Sequence, residues 1–440
     1  MKNKSIKKKY IFIGIGIVLL ISVIWEYRRQ RFSCGDGVCH QRKEFETGIC
    51  PKDCGTNSLL IADVEDSNQP QECNVQSIVK IGEGSFPKWS PDNSLIAFNK
   101  ITKDNVYEIY TMRPDGSGVK CLTCDKPQLP KRGHKGQPYW HPGGEHIVFT
   151  VQNTDYKLIY KGYAEQPDAG HSHNVWIMTK DGEKSWQMTD YPGNWGVIKP
   201  TFSNDGTKIF WNEEFMMEKY PKGKWTDIIP HPGSFWNLLT FIFRRGEELG
   251  AWRVVYADLK FDNEGPKISN IKKVDPPENF TLLEASGFTA DDKGFIYSYA
   301  DLKRMGGWDL WGDTYTTDLD GNSLTPLTFS VYNHDENAEY SPDGKKNAWS
   351  SSSGLPGTGG VDIYLMDANG ENKGQLTHFG EKSSKDYLGD DYSCRELGWS
   401  PDGKQIAVSF GTNYRPYEKD KSYYFDNLYL LTFEGACGKL

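Results

Sequence analysis

Trp399-Ser-Pro-Asp-Gly-Lys-Gln-Ile-Ala-Val408 decides how this chain folds, because it is one of six copies. The others are Trp89-Ser-Pro-Asp-Asn-Ser-Leu-Ile-Ala-Phe98, Trp140-His-Pro-Gly-Gly-Glu-His-Ile-Val-Phe149 and Phe202-Ser-Asn-Asp-Gly-Thr-Lys-Ile-Phe-Trp211. Phe288-Thr-Ala-Asp-Asp-Lys-Gly-Phe-Ile-Tyr297 and Tyr340-Ser-Pro-Asp-Gly-Lys-Lys-Asn-Ala-Trp349 complete the set. Each reads as an aromatic residue closing one strand, a tight turn, and an apolar triplet opening the next. A strand-turn-strand phrase repeated along a chain builds one supersecondary unit many times over.

A second phrase follows most copies. Ile109-Tyr-Thr-Met-Arg-Pro-Asp-Gly116 precedes Cys121-Leu-Thr123, and Val175-Trp-Ile-Met-Thr-Lys-Asp-Gly182 precedes Gln187-Met-Thr189. Thr317-Asp-Leu-Asp-Gly321 precedes Pro326-Leu-Thr328, and Ile363-Tyr-Leu-Met-Asp-Ala-Asn-Gly370 precedes Gln375-Leu-Thr377. Asp-Gly and Asn-Gly between apolar runs signal hairpins, since these residues tolerate positive φ. Each repeat therefore holds four strands, a to d, with tight a–b and c–d turns. Six such units arranged radially predict an all-β, six-bladed β-propeller over residues 56–440.

These repeats resemble those of the TolB-type propeller and the related propellers of prolyl oligopeptidases, over roughly residues 75 to 440. The second copy departs with Pro142-Gly-Gly, the third and fourth lack the proline, and the third repeat carries an insertion at about Asn212–Gly250. The resemblance implies binding to partner proteins of the cell envelope. Some lyases that act on uronic-acid oligosaccharides use similar propellers.

The last repeat supplies strands a, b and c, ending at Asn427-Leu-Tyr-Leu-Leu-Thr-Phe433, and no d strand follows. Val75-Gln-Ser-Ile-Val-Lys-Ile81 has the missing pattern, so it is expected to pair with the last blade and close the ring. That closure makes Cys73 and Cys437 neighbours and predicts a disulfide between them. Cys121 and Cys124 are expected to pair locally, which leaves Cys394 as the odd thiol.

Ahead of the repeats lie two other segments. Lys2, Lys4, Lys7, Lys8 and Lys9 precede an apolar run from Tyr10 to Trp25, and Arg28, Arg29 and Arg31 follow it. Sixteen helical residues reach roughly 24 Å, and flanking Lys and Arg can snorkel to span the ~30 Å hydrocarbon core. A cleaved signal peptide is the rival reading, but no small-residue cleavage site stands between Trp25 and Phe32. The expectation is a transmembrane anchor over residues 1–32, with the heavier positive end inside and the body extracytoplasmic, in the periplasm or at the cell surface. Residues 33–55 contain Cys34-Gly-Asp-Gly-Val-Cys39 and Cys50-Pro-Lys-Asp-Cys54-Gly. They resemble the cysteine-rich CGxGxC…CPxDCG modules of exported bacterial proteins. Two disulfides are expected there, with zinc as the rival use of four cysteines. Asp36, Glu44 and Asp53 offer oxygen ligands for Ca²⁺.

The 440-residue chain carries a formal charge of -8, which argues against a general nucleic-acid role. Function is expected on the b–c and d–a face, where the long, irregular stretches fall. Six of nine histidines lie there: His134, His171, His173, His231, His334 and His378. Carboxylates there include Glu213, Glu214, Asp335, Glu336, Asp386, Asp390 and Asp391, and rings include Trp195, Trp225, Trp236, Trp308 and Trp311. The candidate ligand-binding set is His171, His173, Glu213, Glu214, Trp308, Trp311, His334, Asp335 and Glu336. Such a mix suits a protein, peptide or glycan partner, or a divalent metal. The sequence has no G-x-S-x-G elbow, H-E-x-x-H or phosphate loop, and the hydrolase half of prolyl oligopeptidases is not expected. The reading is a membrane-anchored binding module. The alternative is a metal-assisted polysaccharide lyase or glycosidase on the same face, which would need His334, Asp335, Glu336, Glu213 or Glu214 to converge at the channel mouth.

Overall fold

A computed structural model describes residues 73–154, 167–191, 195–215, 251–276, 280–301, 312–329, 333–353, 361–388, 392–412 and 426–437. The chain divides into two units, Met1–Ala62 and Asp63–Leu440. The expected anchor, the Cys34–Cys54 module and its Ca²⁺ candidates lie outside the described residues. Among the described residues, no helix is long and apolar enough to cross a membrane.

The described chain is all strand and turn. It opens with β1 (Val75–Glu83), then blade 1 follows as β2 (Ser85–Trp89), β3 (Ile96–Ile101), β4 (Tyr107–Met112) and β5 (Lys120–Cys121). Blade 2 is β6 (Lys135–Trp140), β7 (His146–Gln152), β8 (His173–Thr179) and β9 (Ser185–Gln187). Blade 3 is β10 (Val197–Phe202), β11 (Lys208–Phe215), β12 (Ala251–Asp262) and β13 (Gly265–Val274). Blade 4 is β14 (Phe280–Phe288), β15 (Gly294–Asp301), β16 (Asp313–Asp318) and β17 (Leu324–Pro326). Blade 5 is β18 (Asp335–Tyr340), β19 (Lys346–Ser351), β20 (Asp362–Asp367) and β21 (Gly374–Gln375). Blade 6 has β22 (Tyr392–Trp399), β23 (Gln405–Thr412) and β24 (Asp426–Phe433), with β1 as its outer strand.

That last pairing closes the ring. Strand β1 runs antiparallel to β24, with Ile78 opposite Leu431 and Lys80 opposite Tyr429. The Cys73–Cys437 disulfide fastens the seam, its Cα atoms 5.3 Å apart. Cys121 and Cys124 are bridged, and Cys394 is buried and belongs to neither of these disulfides. The six a strands neighbour one another in a closed circuit, β2–β6–β10–β14–β18–β22 and back to β2.

The repeated phrases explain their own residues. In four copies the serine holds the a–b turn by donating to the aspartate two positions on. The pairs are Ser90–Asp92 (2.6 Å), Ser203–Asp205 (2.7 Å), Ser341–Asp343 (2.7 Å) and Ser400–Asp402 (2.8 Å). Each serine oxygen also accepts the amide of the residue five positions on. The threonine of the second phrase is a latch. Thr123, Thr189, Thr328 and Thr377 each accept the amide of a c-strand residue at 2.9 Å, from Ile109, Val175, Thr314 and Ile363. Each donates to the side chain just before that residue: Glu108, Asn174, Asp313 and Asp362.

The core is divided among the blade interfaces. One buried cluster, for example, packs Trp140, Ile147 and Phe149 of blade 2 against Ala97, Ile109 and Leu122 of blade 1. Another joins blade 6 to blade 1 through Ala407, Leu428, Leu430, Trp89 and Ile96. The phrase aromatic and the first apolar residue after the turn face each other across each a–b hairpin, as in Trp89–Ile96, Trp140–Ile147 and Trp399–Ile406. Blade 5 breaks the rule, placing Asn347 opposite Tyr340.

One expectation about the loops needs correction. Glu213 and Glu214 are not loop residues, because β11 continues through them and pairs them with Arg253 and Trp252 of β12. His173, Asp335 and Glu336 likewise lie within strands. The ladders extend past the apolar triplets, so polar side chains are held on rigid strand ends.

Candidate functional site

Six a strands line the axis, and four carry a bulge three residues before the phrase aromatic. There Phe86, Gln137, Lys199 and Asn337 adopt left-handed backbone, with φ of 57°, 54°, 49° and 59°. The a–b register slips at each of them. A bulge leaves its extra residue out of the ladder and re-aims its side chain. In blades 4 and 6 the a–b register also slips, after Ala285 and Cys394.

Lys199 uses this geometry to bridge the ring. Its ammonium lies 2.6 Å from Glu284 Oε1 of blade 4 and 2.7 Å from Glu396 Oε1 of blade 6. It also donates to Asn337 Oδ1 of blade 5. The backbone amide of Lys199 donates to Gln137 Oε1 at 2.8 Å, which ties blade 2 into the network. Burial opposes the charge on Lys199, but Glu284 and Glu396 outweigh it and raise its pKa. Burial raises the Glu396 carboxyl, partly offset by Lys199. A second bridge joins Lys88 of blade 1 to Glu339 of blade 5, and Lys88 also donates to Leu397 O at 2.6 Å. Toward the loop face, His334 Nε2 lies 3.0 Å from Glu336 Oε2, both side chains a little over a quarter exposed. The charged residues named here are two lysines against four glutamates.

The candidates from blades 2 and 3 form a separate group. His171 Nδ1 lies 2.9 Å from Glu214 Oε2. Glu213 sits among three donors: Arg253 at 2.7 Å, Lys273 at 2.9 Å and the Tyr191 hydroxyl at 2.8 Å. Burial would raise its carboxyl, but these donors together hold it below the ordinary range. His173 is fully buried, and its Nδ1–H donates to His171 O at 2.9 Å. Burial lowers His173 to about 3 and His134, whose Nδ1 accepts the Tyr107 amide, to about 4.

Asp335 forms a third group. It is buried in blade 5, accepts Trp349 Nε1–H at 3.1 Å, and burial raises its carboxyl. The predicted set is therefore split. His334 and Glu336 sit together, with Glu336 acting on Lys199; His171, His173, Glu213 and Glu214 sit between blades 2 and 3; and Asp335 is buried against Trp349 and Thr328. Trp308 and Trp311 lie outside the described residues. Among the described residues, no three His, Cys, Asp or Glu side chains are placed to hold one metal ion. Lys88, Lys199, Glu284, Glu339 and Glu396 belong to no motif that marks them in the sequence. Their one signal is position, one, three or four residues ahead of a phrase aromatic.

Six four-stranded sheets around a charged axis define the chain as a six-bladed β-propeller. No protein-family model matches the chain, and no curated protein matches it. Among solved structures it is similar to TolB from Acinetobacter baumannii, with 16% identity and a TM-score of 0.41 over 81% of this chain and 64% of that one. An oligogalacturonate lyase in complex with manganese matches at 13% identity and 0.42, covering 82% of this chain and 95% of that one. A gluconolactonase from Xanthomonas campestris matches at 10% and 0.43, over 83% and 96%. These likenesses concern the fold alone.

Proposed function

We propose that this protein is a membrane-anchored, extracytoplasmic binding module whose loop face grips a protein, peptide or glycan of the cell envelope. The observation that carries the reading is the partly exposed His334–Glu336 pair on the loop-face side of the axis that Lys199 bridges. The bridge gives the mouth a rigid polar floor, and the surplus of glutamate over lysine favours a ligand with basic or hydrogen-donating groups. The other candidate carboxylates are held in ion pairs or a buried blade contact, an arrangement suited to a preorganised interface. Two disulfides in the propeller fit an oxidising compartment. The Lys-rich, apolar, Arg-rich start of the chain supports the anchor.

The test is binding of the detergent-solubilised protein to peptide and glycan arrays, with His334→Ala and Glu336→Gln beside wild type. The proposal expects both variants to lose binding at least tenfold, about 1.4 kcal/mol. Unchanged binding by both, or turnover of a uronic-acid oligosaccharide, would overturn it.

A further inference from the structure

The propeller carries a Cys-x-x-Cys pair, Cys121-Leu-Thr-Cys124, whose disulfide the fold does not require. Three sister blades make the same turn without it. Cys121 pairs with Tyr110 on strand c, as Gln187 pairs with Trp176, Pro326 with Tyr315 and Gln375 with Tyr364. Where blade 1 has Cys124, those blades have Asp190, Phe329 and His378. The latch threonine between the two positions accepts its c-strand amide at 2.9 Å in all four blades. Leu122 and Thr123 are buried and held by Ile109 and Glu108 whether or not the sulfurs are joined.

A bridge across three positions also restrains the unfolded chain far less than Cys73–Cys437, which spans 364. Cys121 and Cys124 are half-buried, whereas Cys73 and Cys437 are each 4% exposed. The site is prepared for exchange as well as accessible. The Cys124 amide donates to Cys121 Sγ at 3.1 Å, which stabilises negative charge on that sulfur. The Tyr110 hydroxyl lies 3.7 Å from Cys124 Sγ. The pair opens the d–a connection of blade 1, on the loop face.

We infer that Cys121–Cys124 is a thiol–disulfide exchange site that accepts electrons from a dithiol segment of an exported protein. A substrate thiolate attacks Cys124 Sγ, forming a mixed disulfide while the Cys121–Cys124 bond breaks. Cys121 leaves as a thiolate, favoured by the amide, and takes up the proton the substrate released. The second substrate thiolate then attacks the first substrate sulfur in the mixed disulfide, forming the substrate's disulfide and expelling Cys124 as a thiolate that takes up the second proton. The substrate is oxidised by two electrons, and the bridge becomes a dithiol.

The test uses the folded full-length protein in glutathione buffers of graded composition, quenched by alkylation and read by peptide mapping. Cys121 and Cys124 should become alkylatable at a ratio of reduced to oxidised glutathione at least tenfold lower than Cys73 and Cys437 require. A reduced two-cysteine peptide added to the oxidised protein should be oxidised as Cys121 and Cys124 thiols appear in equal amount. The Cys121→Ser/Cys124→Ser variant should melt at the wild-type temperature. A bridge that opens only with Cys73–Cys437, a peptide left reduced, or a double variant that misfolds or melts lower would each mark the pair as a brace and overturn the inference.

Discussion

Asn347→Leu should stabilise this protein, although it removes a polar residue from the centre of a blade. The side chain is fully buried on β19, and among the described residues neither Oδ1 nor Nδ2 has a hydrogen-bonding partner. The equivalent residues of four other blades, Ile96, Ile147, Ile209 and Ile406, are also fully buried. Leucine matches asparagine in shape and avoids the crowding that a β-branched residue would risk. A buried group left unsatisfied costs about 1–3 kcal/mol, so relieving Asn347 should gain about 2 kcal/mol. Across Asp63–Leu440, at about 2.1 cal/mol/K per residue, the melting entropy is roughly 0.8 kcal/mol/K. The melting temperature should therefore rise by about 2–3 °C, read by calorimetry. Asn212→Leu is the control of identical chemistry. Asn212 is equally buried but donates to Ala285 O at 3.0 Å and accepts the Ala285 amide at 2.7 Å. That variant should lose about 2 kcal/mol or more. If Asn347→Leu destabilises the protein as Asn212→Leu does, the orphaned-asparagine reasoning is wrong.

Three other outcomes follow from the same geometry. Lys199→Met strands Glu396 in the channel and should cost about 3–5 kcal/mol in denaturant unfolding, with partial recovery when Glu396→Gln is added. Cys73→Ser/Cys437→Ser releases a loop spanning 364 positions and should cost up to about 5 kcal/mol; an unchanged denaturation midpoint would count against a ring held by that seam. His134 and His173 titrate at about 4 and 3 when folded and near 6.5 when unfolded. Their burial is tolerated fully above pH 6.5, and their contribution to stability falls as pH drops from there toward 4, because the unfolded chain takes up protons that the folded one refuses. Each histidine adds up to about 1.4 kcal/mol per pH unit to that slope, so His173→Gln should flatten the stability profile between pH 6.5 and 5 by about that amount.

The architecture was legible because the phrase residues act locally. Ser400 and Asp402 hold their own turn, and Thr377 latches a strand 14 positions away, so each blade repeats the same words for the same reason. Ring closure was legible from a strand missing at one end and surplus at the other. The axis was not. At the position three residues before each aromatic stand Phe86, Gln137, Lys199, Ala285, Asn337 and Glu396. They share a place and no chemistry, and the partners of Lys199 come from three other blades. At Glu213 and Glu214 the sequence hides a strand, because the apolar pattern stops at Trp211. The ladder continues because Arg253, about forty residues on, pairs with Glu213 through both backbone and side chain.

The most direct test of a loop-face binding module is hydrogen exchange on the full protein, alone and saturated with the strongest binder from the arrays. New protection should appear at Gly196–Lys199 and His334–Glu336, with none at the turns of Asp92, Asp205, Asp343 and Asp402. Protection confined to those turns would contradict a loop-face binding module.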